Sequence, residues 1–254
     1  VPQFSANLGF LWAELSLPDA IRAAKLAGFH AVECHFPYDV PASLVHKTLA
    51  ENDIQMLGIN TRRGNVDNGD NGLCALSHRV DEARCAIDQA IDYAAAIDCP
   101  AVHVMAGCAA GALAERTFVE NLRYACIRAS KHDITILIEP LNTKDAPGYF
   151  LSKTGQAIGI IETVSAANIK LMLDLYHVQL MEGALEDKIR DLMPHIGHIQ
   201  FAGVPDRGPP DVGDIDFVPL FKLIDSLCYD RPLGAEYKPN GPTEQSLDWL
   251  KRYL

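Results

Sequence analysis

The chain has no Gly-x-Gly-x-x-Gly turn and no Gly-x-x-x-x-Gly-Lys loop, which removes the usual sequence grounds for a dinucleotide or nucleoside-triphosphate site. Basic residues are few: 22 Lys and Arg, scattered rather than clustered, stand against 33 Asp and Glu, for a formal net charge of −11. Such a surface does not neutralise a phosphate backbone, so nucleic acid is not an expected partner. The seven cysteines, Cys34, Cys74, Cys85, Cys99, Cys108, Cys126 and Cys228, include no Cys-x-x-Cys pair and are odd in number. They read as free thiols in a reducing compartment, packed as small apolar groups. No window is long and apolar enough for a membrane span, and VPQFSANLGFLWAEL lacks the basic-then-apolar order of a secretion signal. A cytoplasmic protein with no membrane partner is expected. No Pro-, Gly- or Ser-rich tract divides the chain, so residues 1–254 are expected to form one domain.

What the chain does have is alternation. Eight strand-like runs begin near Gln3, His30, Ile54, Pro100, Ile134, Ile169, Ile196 and Pro232, with helical patterns between them. From Arg79 to Asp98, Val80, Ala83, Ile87, Ile91, Ala94 and Ile97 recur at three- and four-residue steps and make one apolar stripe. From Phe217 to Leu227, Leu220, Phe221, Ile224 and Leu227 do the same. Ser16 followed by Asp19 reads as a capping box, and Gly28 as a helix stop. Eight strands and eight helices in strict alternation predict a closed α/β fold, the (β/α)8 TIM barrel.

Four of the runs, TILIEP, LMLDLYH, HIGHIQ and PLGAEYK, close on a polar residue: Glu139, Asp174, Gln200 and Glu236. Side chains alternate along a strand, so each shares a face with Leu137, Met172, His198 or Gly234 and is the last inward position. In a parallel barrel those four converge at the C-terminal mouth, where barrel enzymes carry their chemistry. Three carboxylates crowded with one amide repel one another unless a cation joins them. An all-oxygen set suits Mg2+ or Mn2+ better than a closed structural zinc site, which prefers Cys and His.

Arg207, in the PDRG segment after the seventh run, is a candidate for gripping a substrate carboxylate, and Lys238, two residues past Glu236, for a second positive charge. Asn7, Glu33, His35 and His103 are further residues expected to line the mouth, with Trp12, Phe36 and Tyr149 as rim aromatics. The Gly- and Asn-rich segment TRRGNVDNGDNGL, Thr61 to Leu73, is long for a connection and reads either as a lid over the mouth or as a mobile surface loop.

The motifs IEPLNT, LDLYHVQLMEG, GHIQFAGVPDRGPPDVGDIDF and EYKP, with FSANLGFLW and AVHVMAG, resemble the hydroxypyruvate isomerase family of xylose-isomerase-like TIM barrels along the whole chain. The resemblance implies metal ligation by Glu139, Asp174, Gln200 and Glu236, with the two glutamates also moving a proton between adjacent carbons through a cis-enediolate. It implies that His177, three residues after Asp174, contacts substrate oxygens. The implied substrate is a small anionic keto acid or sugar acid: hydroxypyruvate, giving tartronate semialdehyde, or 2-oxo-tetronate, giving 3-oxo-tetronate. Ketose 3-epimerases of the wider superfamily carry His where this chain has Gln200. Apurinic-site endonucleases share the barrel but need extra histidines for three zinc ions, and the acidic charge here disfavours DNA. The surface is compatible with a monomer or a homo-oligomer alike.

Overall fold

The computed structural model describes residues 2–253. Its strands are β1 (Phe4–Asn7), β2 (Ala31–Glu33), β3 (Gln55–Met56), β4 (Ile59–Asn60), β5 (Ala101–His103), β6 (Thr135–Ile138), β7 (Ile169–Asp174), β8 (Ile196–Phe201) and β9 (Leu233–Ala235). They pair in parallel in the order β3-β2-β1-β9-β8-β7-β6-β5-β4. β3 and β4 stand at the two ends of that order yet are consecutive in the chain, separated by Leu57 and Gly58. They are two halves of one stave, and their succession closes the barrel. At the break, Leu57 N–H donates to the Val32 carbonyl at 2.8 Å and Cys34 N–H to the Gly58 carbonyl at 3.2 Å. Eight staves result, with the run from Ile54 as the interrupted one.

The helices are α1 (Leu17–Leu26), α2 (Ala42–Glu51), α3 (Val80–Ala96), α4 (Gly111–Ala129), α5 (Thr154–Val164), α6 (Leu175–Met181), α7 (Leu185–Leu192) and α8 (Phe217–Ser226). The Ser16 hydroxyl accepts from Asp19 N–H at 3.3 Å and donates to the Asp19 carboxylate at 2.6 Å at the start of α1, and Gly28, at φ 97°, follows the residue that caps its other end. Ala83, Ile87, Ile91 and Ala94 are buried along α3, as their spacing requires.

Alternation is less strict than expected. α6 and α7 both lie between β7 and β8, and among the described residues no α-helix follows β9. The segment after β9 reads KPNGP, where two prolines and a glycine at φ 152° oppose helix formation, and only 3-10 turns at Thr243–Ser246 and Leu250–Arg252 appear. Trp249 covers the staves where a helix is missing. Its ring lies 5.0 Å from Phe4 and 5.5 Å from Phe201, both edge-on.

The barrel interior is filled asymmetrically. Ala101, Leu137 and Met172, on β5, β6 and β7, form a small apolar cluster of their own. On β1, β2 and β8, Ser5, Glu33, His198 and Gln200 are buried and polar. Gly234 makes room for that polar half: a Cβ there would stand 2.3 Å from Glu33 Oε1 and 2.9 Å from His198 Nε2. No helix among the described residues is long and apolar enough to cross a membrane.

Candidate metal and substrate site

All strands run one way, so their C-terminal ends share one rim. Asp174 ends β7, Gln200 lies opposite it in register on β8, and Glu139 and Glu236 follow the last residues of β6 and β9. All four are buried, at 5% exposure or less. The four are thus gathered at the mouth, together with His177 and Arg207.

Glu236 is held on both oxygens. Its Oε1 accepts from Asn7 Nδ2 at 2.8 Å and lies 2.8 Å from His35 Nε2, while Oε2 accepts from Arg207 Nη2. Gly9 N–H in turn orients Asn7 at 2.9 Å. Burial pushes Glu236 up, but Arg207 and then His35 outweigh it and hold it down at about 2. Asp174 spends Oδ1 as the cap of α6, accepting from Tyr176 N–H at 2.9 Å, and its Oδ2 faces Arg207 Nη2 at 3.2 Å and His177 Nε2 at 3.5 Å. Burial raises it to about 7 against the pull of Arg207. For Glu139 the pull of Arg207 is weaker than the causes opposing it. Burial, then the charges of Glu236 and Asp174, push it well above the usual carboxylate range.

His177 Nδ1 accepts from the Asn142 backbone N–H at 3.0 Å, so its proton sits on Nε2, which points at Asp174 and Glu139. Burial, and Arg207 nearby, lower it to about 3, so it is neutral. His103 stands 3.6 Å from Glu139 and is lowered by burial to about 3.

Arg207 is the unexpected feature. Instead of facing open space, its guanidinium spans Asp174 and Glu236 and is sandwiched between the rings of Phe10, at 4.8 Å, and Tyr176, at 5.0 Å. Its side chain therefore answers carboxylates of the protein itself. Lys238 does not join the group: it is exposed and lines no part of this cavity, and its backbone N–H donates to the Arg207 carbonyl at 2.7 Å. β9 ends at Ala235, so the alternation that would have aligned Lys238 with Glu236 has already lapsed. Of the aromatics, Trp12 and Tyr149 are packed inside; the Tyr149 hydroxyl accepts from Ala106 N–H at 2.9 Å.

The cavity above the carboxylates holds about 120 Å³ and is lined by Glu139, His177, Arg207 and Glu236 below and by Arg63 and Asn71 of the Thr61–Leu73 segment above. A hollow of about 360 Å³ between Phe217 and Trp249 is larger. Convergence of buried polar groups, rather than size, distinguishes the smaller one. Arg63 Nε donates to Asn71 Oδ1 at 2.9 Å, a neutral partner, so its charge is not spent on a carboxylate. Composition alone flagged the segment; that Arg63 rather than Arg62 faces the cavity follows only from its folded path. Asp70, bound to Arg79 at 2.6 Å and to Asn65 N–H at 2.7 Å, ties that path down.

The donor set suits a divalent cation. One oxygen each of Glu139 and Asp174 and one nitrogen of His177 lie within 4.8 Å of one another, and because His177 Nε2 carries its proton the carboxylate oxygens are the donors of that group. Glu139 Oε1 and Gln200 Oε1 are buried and, among the described residues, accept no hydrogen bond. Unsatisfied buried oxygens in a crowd of carboxylates are the acceptors a hard cation takes.

Residues 21–253 match the family model described as xylose isomerase-like TIM barrel. The chain is 40% identical to the 2-oxo-tetronate isomerase of Cupriavidus necator over 258 residues, covering 100% of this chain and 99% of that protein. It is 38% identical to the hydroxypyruvate isomerase of Escherichia coli strain K12, covering 99% of each. A crystal structure from Brucella melitensis, described as an AP endonuclease of family 2, superposes with a TM-score of 0.96 at 38% identity, covering 100% of this chain and 99% of that one.

Proposed function

This chain belongs to the xylose isomerase-like TIM barrel family, and from that premise we propose that it interconverts the ketose and aldose forms of a small 2-keto acid with the help of a divalent metal ion. Its full-length relatives are isomerases of such acids, which makes it an isomerase. Hydroxypyruvate, converted to tartronate semialdehyde, is the simplest substrate on this reading, and 2-oxo-tetronate is its rival. The observation that carries the reading is the meeting of Glu139 and Glu236 with two arginines, Arg63 and Arg207, around one small cavity, with Asp174 3.2 Å from Arg207. Carboxylates at the floor suit a cation and proton transfer; arginines suit an anionic substrate.

Glu139, Asp174, Gln200 and Glu236 would hold the ion. When bound, it polarises the substrate carbonyl and makes the neighbouring C–H acidic. The chain's own groups do the rest. In hydroxypyruvate one glutamate takes the C3 proton and the other returns a proton at C2, while the hydroxyl proton passes from O3 to O2, so that ketone becomes aldehyde with no net change in atoms. Asn7 and His35 fix Glu236 in place, and Glu139 keeps an uncommitted oxygen toward the cavity. Neutral His177 offers its Nε2–H to a substrate oxygen. Arg63 reaches over from the Thr61–Leu73 segment toward the carboxylate end.

Proton NMR with hydroxypyruvate and with 2-oxo-tetronate in D₂O, with Mn2+ or Mg2+ and then with a chelator, tests this. Metal-dependent formation of the isomer supports it and ranks the acids; no turnover of either acid overturns it. The description of the Brucella structure favours a second reading, incision of DNA at abasic sites. A net charge of −11 and Gln200 at the seventh stave oppose it. Zinc-dependent cleavage of an abasic duplex would establish that activity instead.

A further inference from the structure

Gln200 can present either face of its amide, oxygen or NH₂, to the barrel mouth, and only the oxygen serves a cation. Its Nε2 donates to Glu33 Oε2 at 2.7 Å, across 167 positions of sequence, while its Oε1 is buried and accepts no hydrogen bond among the described residues. Glu33 is itself gripped. Ser5 Oγ donates to its Oε1 at 2.7 Å, and His198 Nε2 lies 3.1 Å from both oxygens. Glu33, Ser5, His198 and Gln200 are each 6% exposed or less, so water does not compete for these bonds. Gly234 leaves the space they fill.

We propose that Glu33 is a positioning residue that locks the Gln200 amide with its NH₂ turned away and its oxygen left as a ligand for the divalent ion. The proposal rests on the metal-binding reading above. The physical reason is that turning the amide over would set its oxygen against a carboxylate oxygen, acceptor against acceptor, and its NH₂ against the cation. Both contacts are repulsive, so one orientation survives. A glutamine at position 33 reverses the logic. With its single oxygen drawn to the side where Ser5 and His198 donate, its NH₂ faces Gln200, and the Gln200 oxygen turns to accept from it.

The test is Mn2+ affinity by titration calorimetry in Glu33→Gln, Gln200→Glu and the double variant, with unfolding midpoints of the metal-free proteins alongside. Outer groups that orient a ligand change metal affinity by about 10- to 100-fold. That loss is expected for Glu33→Gln in the Gln200 protein, and little or none in the Gln200→Glu background, because a carboxylate has two like oxygens and nothing to orient. Mn2+ binding within about twofold of the parent in Glu33→Gln, or an equal loss in both backgrounds, overturns the proposal while leaving the metal site standing. Failure of the parent protein to bind Mn2+ at all overturns both. A second measurement needs no variant at position 33: the Gln200 side-chain NH₂ signals, assigned by their loss in Gln200→Glu, should exchange slowly with solvent in the metal-free protein, and should shift yet stay slow to exchange when Mg2+ binds the amide oxygen. Fast exchange without metal, or signals that do not respond at all to bound Mg2+, overturns the locked orientation with its oxygen as ligand.

Discussion

Arg207 Nη2 stands 3.2 Å from Asp174 Oδ2 and at the same time bonds Glu236, so a side-chain cation bridges two of the carboxylates proposed to hold a metal ion. With one guanidinium and two ring faces around it, Arg207 neutralises a buried cluster that would otherwise repel itself.

Removing that guanidinium should therefore be felt most when no metal is bound. Arg207→Ala is expected to destabilise the metal-free protein by about 3 kcal/mol, since it leaves buried carboxylates uncompensated. Added Mn2+ should recover more stability in the variant than in the parent, because the ion and the arginine answer the same charge. Urea unfolding with Mn2+ and with a chelator measures both. Equal Mn2+ stabilisation of the two proteins would contradict a shared charge role.

Glu139→Gln and Glu236→Gln each remove a carboxylate proposed to carry the migrating proton. Each should lower kcat for the keto-acid substrate by about 100- to 10,000-fold, the usual worth of a positioned acid or base. Circular dichroism should show the fold retained. Near-parental turnover in either variant would remove that residue from the acid/base pair.

Arg63 is the cation over the cavity that, among the described residues, forms no ion pair with a carboxylate. Arg63→Ala is expected to raise KM for hydroxypyruvate by about tenfold, near 1.4 kcal/mol, with a smaller change in kcat. A neutral ketose of similar size should lose much less. If both substrates suffer alike, Arg63 shapes the segment and does not read charge.

Thiol chemistry gives a prediction away from the site. Cys85, Cys108 and Cys228 are exposed, and Cys34, Cys74, Cys99 and Cys126 are buried. Burial pushes Cys74, Cys99 and Cys126 from an ordinary 9.0 up to about 12, and Cys34 is raised too by burial, by Cys99 and by Glu33. Ellman's reagent at pH 8 should titrate three thiols quickly and all seven only after unfolding. The folded protein holds these protons more tightly than the unfolded chain, so their contribution to stability is complete below pH 9 and is lost as pH rises toward 12. Denaturant midpoints should fall across that alkaline range, and fall less in Cys74→Ala and Cys99→Ala. A midpoint that is flat from pH 9 to 11 would show that burial of the thiols is not what makes the fold sensitive to alkali.

The sequence by itself determined the staves, the main helices and the four polar residues at the rim. Those features are written in neighbouring residues: an apolar run closing on Glu139 or Asp174, a stripe along α3, a serine and an aspartate three apart at the start of α1. Parallel strands in a barrel bring their ends together without further instruction, so local pattern plus one global closure sufficed. Tertiary structure alone decided which polar groups meet. Arg207 reaches Glu236 across 29 positions, Glu33 meets Gln200 across 167, and Asn7 meets Glu236 across 229. Each pairing depends on loop path and side-chain direction after the barrel has closed, and neither is periodic. The same limit accounts for Lys238, whose strand ended before its alternation counted, and for the absent last helix, where Trp249 packs on Phe4 and Phe201 instead.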